Sequence, residues 1–103
     1  MKEKNEEKLQ KKLVSILGSD CDQYVKTDFG IIDVLTDDCI YEVKFNLEPS
    51  GIKYVVGQLL FYKEAFPGRR LVIVTNKNYY SGGPTKVRSL AVALRYDIYF
   101  MEI

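Results

Sequence analysis

At 103 residues, 47% hydrophobic and 28% charged, the chain is one domain's worth of globular polypeptide, with room for a core but hardly for a large enclosed cavity as well. It holds no histidine and no tryptophan, which excludes Ser-His-Asp and Cys-His catalysis and His-containing zinc sites. Any chemistry must run on carboxylates, lysines, amides, tyrosines and a bound metal. No aliphatic run, Leu71 to Val74 included, comes near the ~20 residues of a membrane span. The charged opening Met1 to Lys8 has no apolar stretch behind it, so neither a secretory signal nor a membrane partner is expected. A cytoplasmic location is.

The chain reads as a single domain over 1–103, in the order α-βββ-α-β-α-β. Leu9, Leu13, Ile16 and Leu17 recur at helical spacing and predict a first helix from about Glu3, ended by Gly18 as C-cap. Three β-type runs follow, Cys21 to Thr27, Ile31 to Thr36 and Cys39 to Phe45, separated by Asp28-Phe29-Gly30 and by Asp37-Asp38 as tight hairpins. A loop from Asn46 leads to a second helix over about 51–66, with Ile52, Val55, Val56, Leu59, Leu60 and Phe66 apolar and Pro67-Gly68 as its stop. Leu71 to Thr75 is an unbroken apolar run, as a central strand would be. A Gly-rich loop over 76–84 precedes a third helix over about 85–95, with Val87, Leu90, Ala91 and Leu94 on one face, and Ile98 to Met101 is the last strand. The fold class is α/β around a mixed sheet. Cys21 and Cys39 open the first and third strands of a meander, roughly 9.6 Å apart, too far for a disulfide, and are expected as free thiols.

Charge divides the chain. Residues 1–52 carry seven basic and eleven acidic side chains, and residues 53–103 carry eight basic and three acidic. Seven acids lie between Asp20 and Glu42 against one base, Lys26. Such a split suits a cation site beside a polyanion groove, and equally a set of solvated turns.

Two of those acids break the strand pattern. Asp33 interrupts Ile31 to Leu35, and Glu42 shares a strand face with Lys44, opposite Tyr41, Val43 and Phe45. With Asp37-Asp38 as a two-residue turn, Asp33 falls directly across from Glu42. Two carboxylates placed so, with Cβ atoms about 5 Å apart, repel, and a divalent cation is one compensation; a solvent-facing polar side is the other account. In the first helix Glu6 lies in line with Leu9, Leu13 and Leu17 while Glu7 turns off that stripe, with Glu3 one turn earlier as runner-up. In the second helix Gln58 and Tyr62 share a face within the most apolar segment.

Asp33, then Glu42-Val43-Lys44, then Gln58 resembles the PD-(D/E)xK nuclease superfamily, whose restriction-endonuclease-like fold has an α-βββ-α-β core; here a C-terminal helix and strand are added. Gln58 to Tyr62 is similar to the QxxxY signature of RecB-like nucleases, and the small size with a leading glutamate helix is similar to archaeal Holliday-junction resolvases. The resemblance spans residues from about 6 to 75.

It implies a Mg²⁺- or Mn²⁺-dependent deoxyribonuclease cutting phosphodiester bonds in DNA, branched or junction DNA included, without an organic cofactor. Asp33 and Glu42, with the backbone carbonyl of Val43, would hold the ion, and Glu6 would complete its shell directly or through water. Lys44 would orient or deprotonate the attacking water, and Gln58 would position water or the helix against the site. Tyr62, Arg69, Arg70, Lys77, Tyr79, Tyr80, Lys86 and Arg88 are the candidate nucleic-acid surface, with Tyr79 and Tyr80 equally suited to a dimer interface. A homodimer is expected, because so small a domain offers little surface to grip a duplex. A non-catalytic nucleic-acid-binding module on the same fold is the alternative.

Overall fold

The computed structural model describes residues 4–46, 48–77 and 83–103, apart from the side chains of Pro49 and residues 83–87. Its elements follow the expected order: α1 (Lys4–Leu17), β1 (Asp22–Thr27), β2 (Gly30–Leu35), β3 (Cys39–Val43), α2 (Pro49–Ala65), β4 (Arg70–Thr75), α3 (Gly83–Arg95) and β5 (Ile98–Glu102). The helices α2 and α3 begin two residues before their expected starts. Each opens on a proline in its first turn, where the missing N–H has no intrahelical partner to lose. Among the described residues no helix is long and apolar enough to cross a membrane.

The five strands form one mixed sheet in the order β1-β2-β3-β4-β5. The first three pair antiparallel as a meander, and β3, β4 and β5 run parallel. Parallel neighbours need crossovers, and α2 and α3 supply them on the same face, as one handedness of connection requires. Ile32, Leu35, Ile40, Leu71, Ile73 and Ile98 pack there against Ile52, Val55, Leu59 and Tyr62 of α2 and Ala93 of α3. The other face carries Val34, Tyr41, Val43, Val72 and Val74 under Leu9 and Leu13 of α1. With both faces covered, β4 is buried from Leu71 to Thr75, which is why that run is apolar without alternation.

Both hairpins turn on two residues. Thr36 N–H donates to the Cys39 carbonyl at 3.0 Å around Asp37-Asp38, and Thr27 pairs with Gly30 around Asp28-Phe29. Gly30 sits at φ 132°, and a Cβ there would lie 2.9 Å from the Tyr62 hydroxyl oxygen, so the position excludes other residues twice over. Cys21 and Cys39 are free and half-buried.

Two helix faces are phased differently from the sequence expectation. On α1, Ile16 is 54% exposed, and on α3 Leu94 is 51% exposed while Ala93 is fully buried. The segment Leu90 to Leu94 is apolar on every side, so its spacing alone does not say which face meets α2.

Candidate active site

The site grows out of one interruption in the sheet. Along β1 and β2 the pairing runs Asp22↔Leu35, Gln23↔Val34, then Val25↔Ile32, Lys26↔Ile31 and Thr27↔Gly30, skipping Tyr24 and Asp33, which face each other in that register. Tyr24 has φ 54°, a left-handed backbone that a tyrosine adopts only at a cost. Side chains change sides across the skip. Val34 packs under α1, whereas Ile32, two residues back, packs with Leu35 under α2 and α3. In a regular strand Ile32 and Val34 would share a face.

The same flip opens β2 from β3. Val34↔Tyr41 and Leu35↔Ile40 pair normally, the register expected from a two-residue turn. It places Asp33 opposite Glu42, and there carboxylates replace backbone rungs. The Val43 N–H, which in that register belongs to the carbonyl of Ile32, donates to Asp33 Oδ2 at 2.8 Å. The Asp33 N–H donates to Glu42 Oε1 at 3.1 Å. Asp33 is 8% and Glu42 3% exposed. Two carboxylates out of water and beside each other are costly even with these charge-assisted bonds.

Lys44 follows Val43 at the end of β3, half-buried, its N–H donating to the Val74 carbonyl at 2.8 Å and its Nζ 5.9 Å from the ring centroid of Tyr54. It therefore leaves the strand on the α2 side, with Glu42. From α2, Gln58 Nε2 lies 3.5 Å from the Tyr62 hydroxyl, while Gln58 Oε1 is buried without a hydrogen-bond partner among the described residues. The Tyr62 hydroxyl donates to the Ile31 carbonyl at 3.2 Å. Burial first, then the negative charges of Glu42 and Asp33, push the Tyr62 phenol up to about 12. The acid pair's field thus reaches the Gln58–Tyr62 pair.

Several expected residues stand elsewhere. Tyr62 is 2% exposed, so it is a core residue and offers no surface to nucleic acid; its ring fills the gap under Gly30. Arg69 and Arg70 lie at the opposite end of the sheet. Arg70 pairs with Cys39, four residues or roughly 13 Å along the strands from the Val43↔Val74 pair. Arg69 is engaged there, its Nε donating to the Thr36 carbonyl at 3.0 Å and its guanidinium 4.9 Å from the Phe66 ring centroid. Lys77 is exposed just past β4, at the acid end, and Arg88 is exposed on α3. Tyr79, Tyr80 and the Lys86 side chain lie outside the described residues, as does Glu3.

Glu6 is half-buried and Glu7 exposed, as their places on the α1 stripe imply. Among the described residues, however, no group of three acids or soft ligands assembles, so Glu6 does not join Asp33 and Glu42 as a ready third ligand. Two carboxylates alone still suit a hard divalent ion: Mg²⁺ is commonly held by one or two carboxylates and keeps several waters. An oxygen-only donor set without thiol or imidazole selects that class of ion.

One residue in this region escaped the sequence expectation. Gln10 of α1 is 1% exposed, and its Nε2 donates to the Asp33 carbonyl at 3.2 Å and to Gln23 Oε1 at 3.0 Å. A signal existed, since Gln10 is a polar residue three before Leu13 on the buried side of an otherwise leucine-lined helix.

Fold and site together define an α/β domain whose five-stranded mixed sheet encloses an interlocked pair of carboxylates beside a lysine. Compared with protein-family models, with curated proteins and with solved structures, the chain has no match.

Proposed function

We propose that this chain is a metal-dependent DNA endonuclease on a restriction-endonuclease-like core, acting as a homodimer. The observation that carries the proposal is the carboxylate pair itself. Asp33 and Glu42 are buried side by side where the β2–β3 ladder opens, with Lys44 two residues beyond Glu42. Their hydrogen bonds to the Asp33 and Val43 N–H groups repair an opening that regular pairing of β2 with β3 would not need, so a hairpin serving structure alone would close its ladder rather than bury two acids.

Asp33 and Glu42, with the Val43 carbonyl, would hold Mg²⁺ or Mn²⁺. Such an ion, when bound, neutralises phosphate charge and makes a bound water acidic enough to ionise near neutral pH. Glu6, half-buried on α1, would reach such an ion only through a water. Lys44 would orient or deprotonate the attacking water as its oxygen bonds to phosphorus, while the bridging P–O bond breaks and the leaving oxygen takes a proton from solvent water. Gln58, with a buried amide oxygen to satisfy, positions water against the site. Lys77, exposed at this end of the sheet, grips the DNA backbone.

A gel assay with a four-way junction, a linear duplex and a free single-stranded end, each with Mg²⁺ or Mn²⁺, tests the proposal. Cleavage of at least one substrate, abolished by EDTA, is expected. Binding without cleavage under all these conditions would make the chain a non-catalytic nucleic-acid module. Lys44→Arg separates the lysine's roles, since a guanidinium keeps the charge but does not accept a proton. It should be nearly as inactive as Lys44→Ala with DNA affinity close to wild type. Substantial cleavage by Lys44→Arg would mean that charge alone suffices.

A further inference from the structure

We infer that Gln10 is a positioning residue that holds Asp33 in the flipped backbone which turns its carboxylate toward β3. What that carboxylate is for rests on the nuclease proposal; that Gln10 sets its place does not.

The inference begins with an unsatisfied oxygen. Gln10 lies between α1 and the sheet at 1% exposure, and its Oε1 is buried without a hydrogen-bond partner among the described residues. Leaving such an oxygen unsatisfied is costly, and a methionine would fill the same volume without the cost. The amide's orientation follows from its partner: the Asp33 backbone carbonyl only accepts, so the NH₂ group must face it. The residue thus gives up a partner for its oxygen in order to aim its nitrogen.

The two acceptors of that nitrogen straddle the interruption in the sheet. Gln23 stands immediately before Tyr24 in β1, and Asp33 is the residue opposite Tyr24 in β2. At this position the strands make no regular pair, and Tyr24 is held at φ 54°. Gln10 supplies from α1 a hydrogen bond that the sheet does not. Without it, β2 is freed to rotate toward regular pairing, in which the Val43 N–H would return to the Ile32 carbonyl and the Asp33 carboxylate would lose its anchor on β3. The route runs from the Gln10 amide to the Asp33 carbonyl, and from the Asp33 backbone to its carboxylate.

The Val43 amide reports this directly. In metal-free protein, the Val43 ¹H–¹⁵N resonance of Gln10→Met should move in the direction it takes in Asp33→Ala, where the acceptor is gone. Mn²⁺ affinity measured by calorimetry should fall about tenfold or more, the usual loss when the outer partner of a metal ligand is removed. If Gln10→Met does not fold, Gln10→Asn, one methylene short of the Asp33 carbonyl, must show the same displacement. A Val43 resonance that stays at its wild-type position in the folded variant would overturn the inference, because a glutamine that merely packs leaves that hydrogen bond untouched. Should wild type bind no Mn²⁺ at all, the nuclease proposal fails by itself and the Val43 resonance still decides the role of Gln10.

Discussion

The β2–β3 hairpin carries four acids, and its two ends treat them differently. At the turn, Asp37 and Asp38 are exposed, and the polar groups around them are satisfied by backbone and hydroxyl. Thr36 Oγ1 accepts the Asp38 and Cys39 N–H groups at 3.3 and 3.0 Å, and the Asp38 carbonyl accepts the Arg70 N–H at 2.8 Å. At the open end, Asp33 and Glu42 are buried and stand in for missing rungs. Composition does not distinguish the pairs. What separates them is whether the ladder closes around them: a closed ladder leaves acids in water as turn formers, and an opened one makes carboxylates part of the sheet's hydrogen bonding.

Breaking the two ends should have the most unequal consequences. Asp33→Ala and Glu42→Ala are expected to lose Mn²⁺ binding and cleavage by more than the ~10–100-fold that outer partners of a metal ligand are worth, while Asp37→Ala and Asp38→Ala leave both unchanged. Calorimetry and the gel assay check this together, and undiminished Mn²⁺ binding in the first two variants would erase the contrast. Stability splits more finely. Asp33→Ala strands the buried Val43 N–H at a cost of about 1–3 kcal/mol, whereas Asp33→Asn keeps an oxygen for it and should melt near the wild-type temperature with metal binding lost.

The helix that overlies the open end gives a smaller contrast. Glu6→Gln should lower activity about tenfold, as loss of a water-mediated contact to a metal does, and Glu7→Gln should lower it not at all. Equal, small effects from both would leave α1 with a packing role and no glutamate in the site.

The smallest effect is alkaline. Tyr62 at the open end and Tyr41 on the α1 face both have phenols pushed up to about 12, Tyr62 by burial and the two acids, Tyr41 by burial and its neighbour Cys39. The folded state favours the neutral phenol, so this contribution is whole below pH 10 and is lost as pH rises from about 10 toward 12. Melting temperatures across that range should fall for wild type and fall less for Tyr62→Phe. Removing the acids' charge with an Asp33→Asn, Glu42→Gln double variant should bring the Tyr62 titration, followed by ultraviolet absorbance, back toward 10. A titration left in place would mean that burial alone raises it.

Element order and the register of the second hairpin are legible in the sequence because both are local. The two-residue turn at Asp37-Asp38 fixes which residues pair and puts Asp33 opposite Glu42, whereas the first link, expected as Asp28-Phe29-Gly30, turns on Asp28-Phe29 alone because Gly30 pairs with Thr27. The strand faces of Tyr41, Val43 and Glu42 follow from alternation, and the opposed exposures of Glu6 and Glu7 follow from helical spacing. Tertiary structure decided the rest. The flip at Tyr24 and Asp33 needs two strands and the Gln10 amide at once, and no propensity in either strand announces a tyrosine at positive φ. Tyr62 went to the core because Gly30 leaves a hole for its ring, a pairing of residues 32 positions apart. Arg69 and Arg70 went to the far end because parallel β4 must start beside the start of β3. Pairings between distant segments depend on where each packed element comes to rest against the others, and that is set by the core as a whole rather than by any stretch of chain within it.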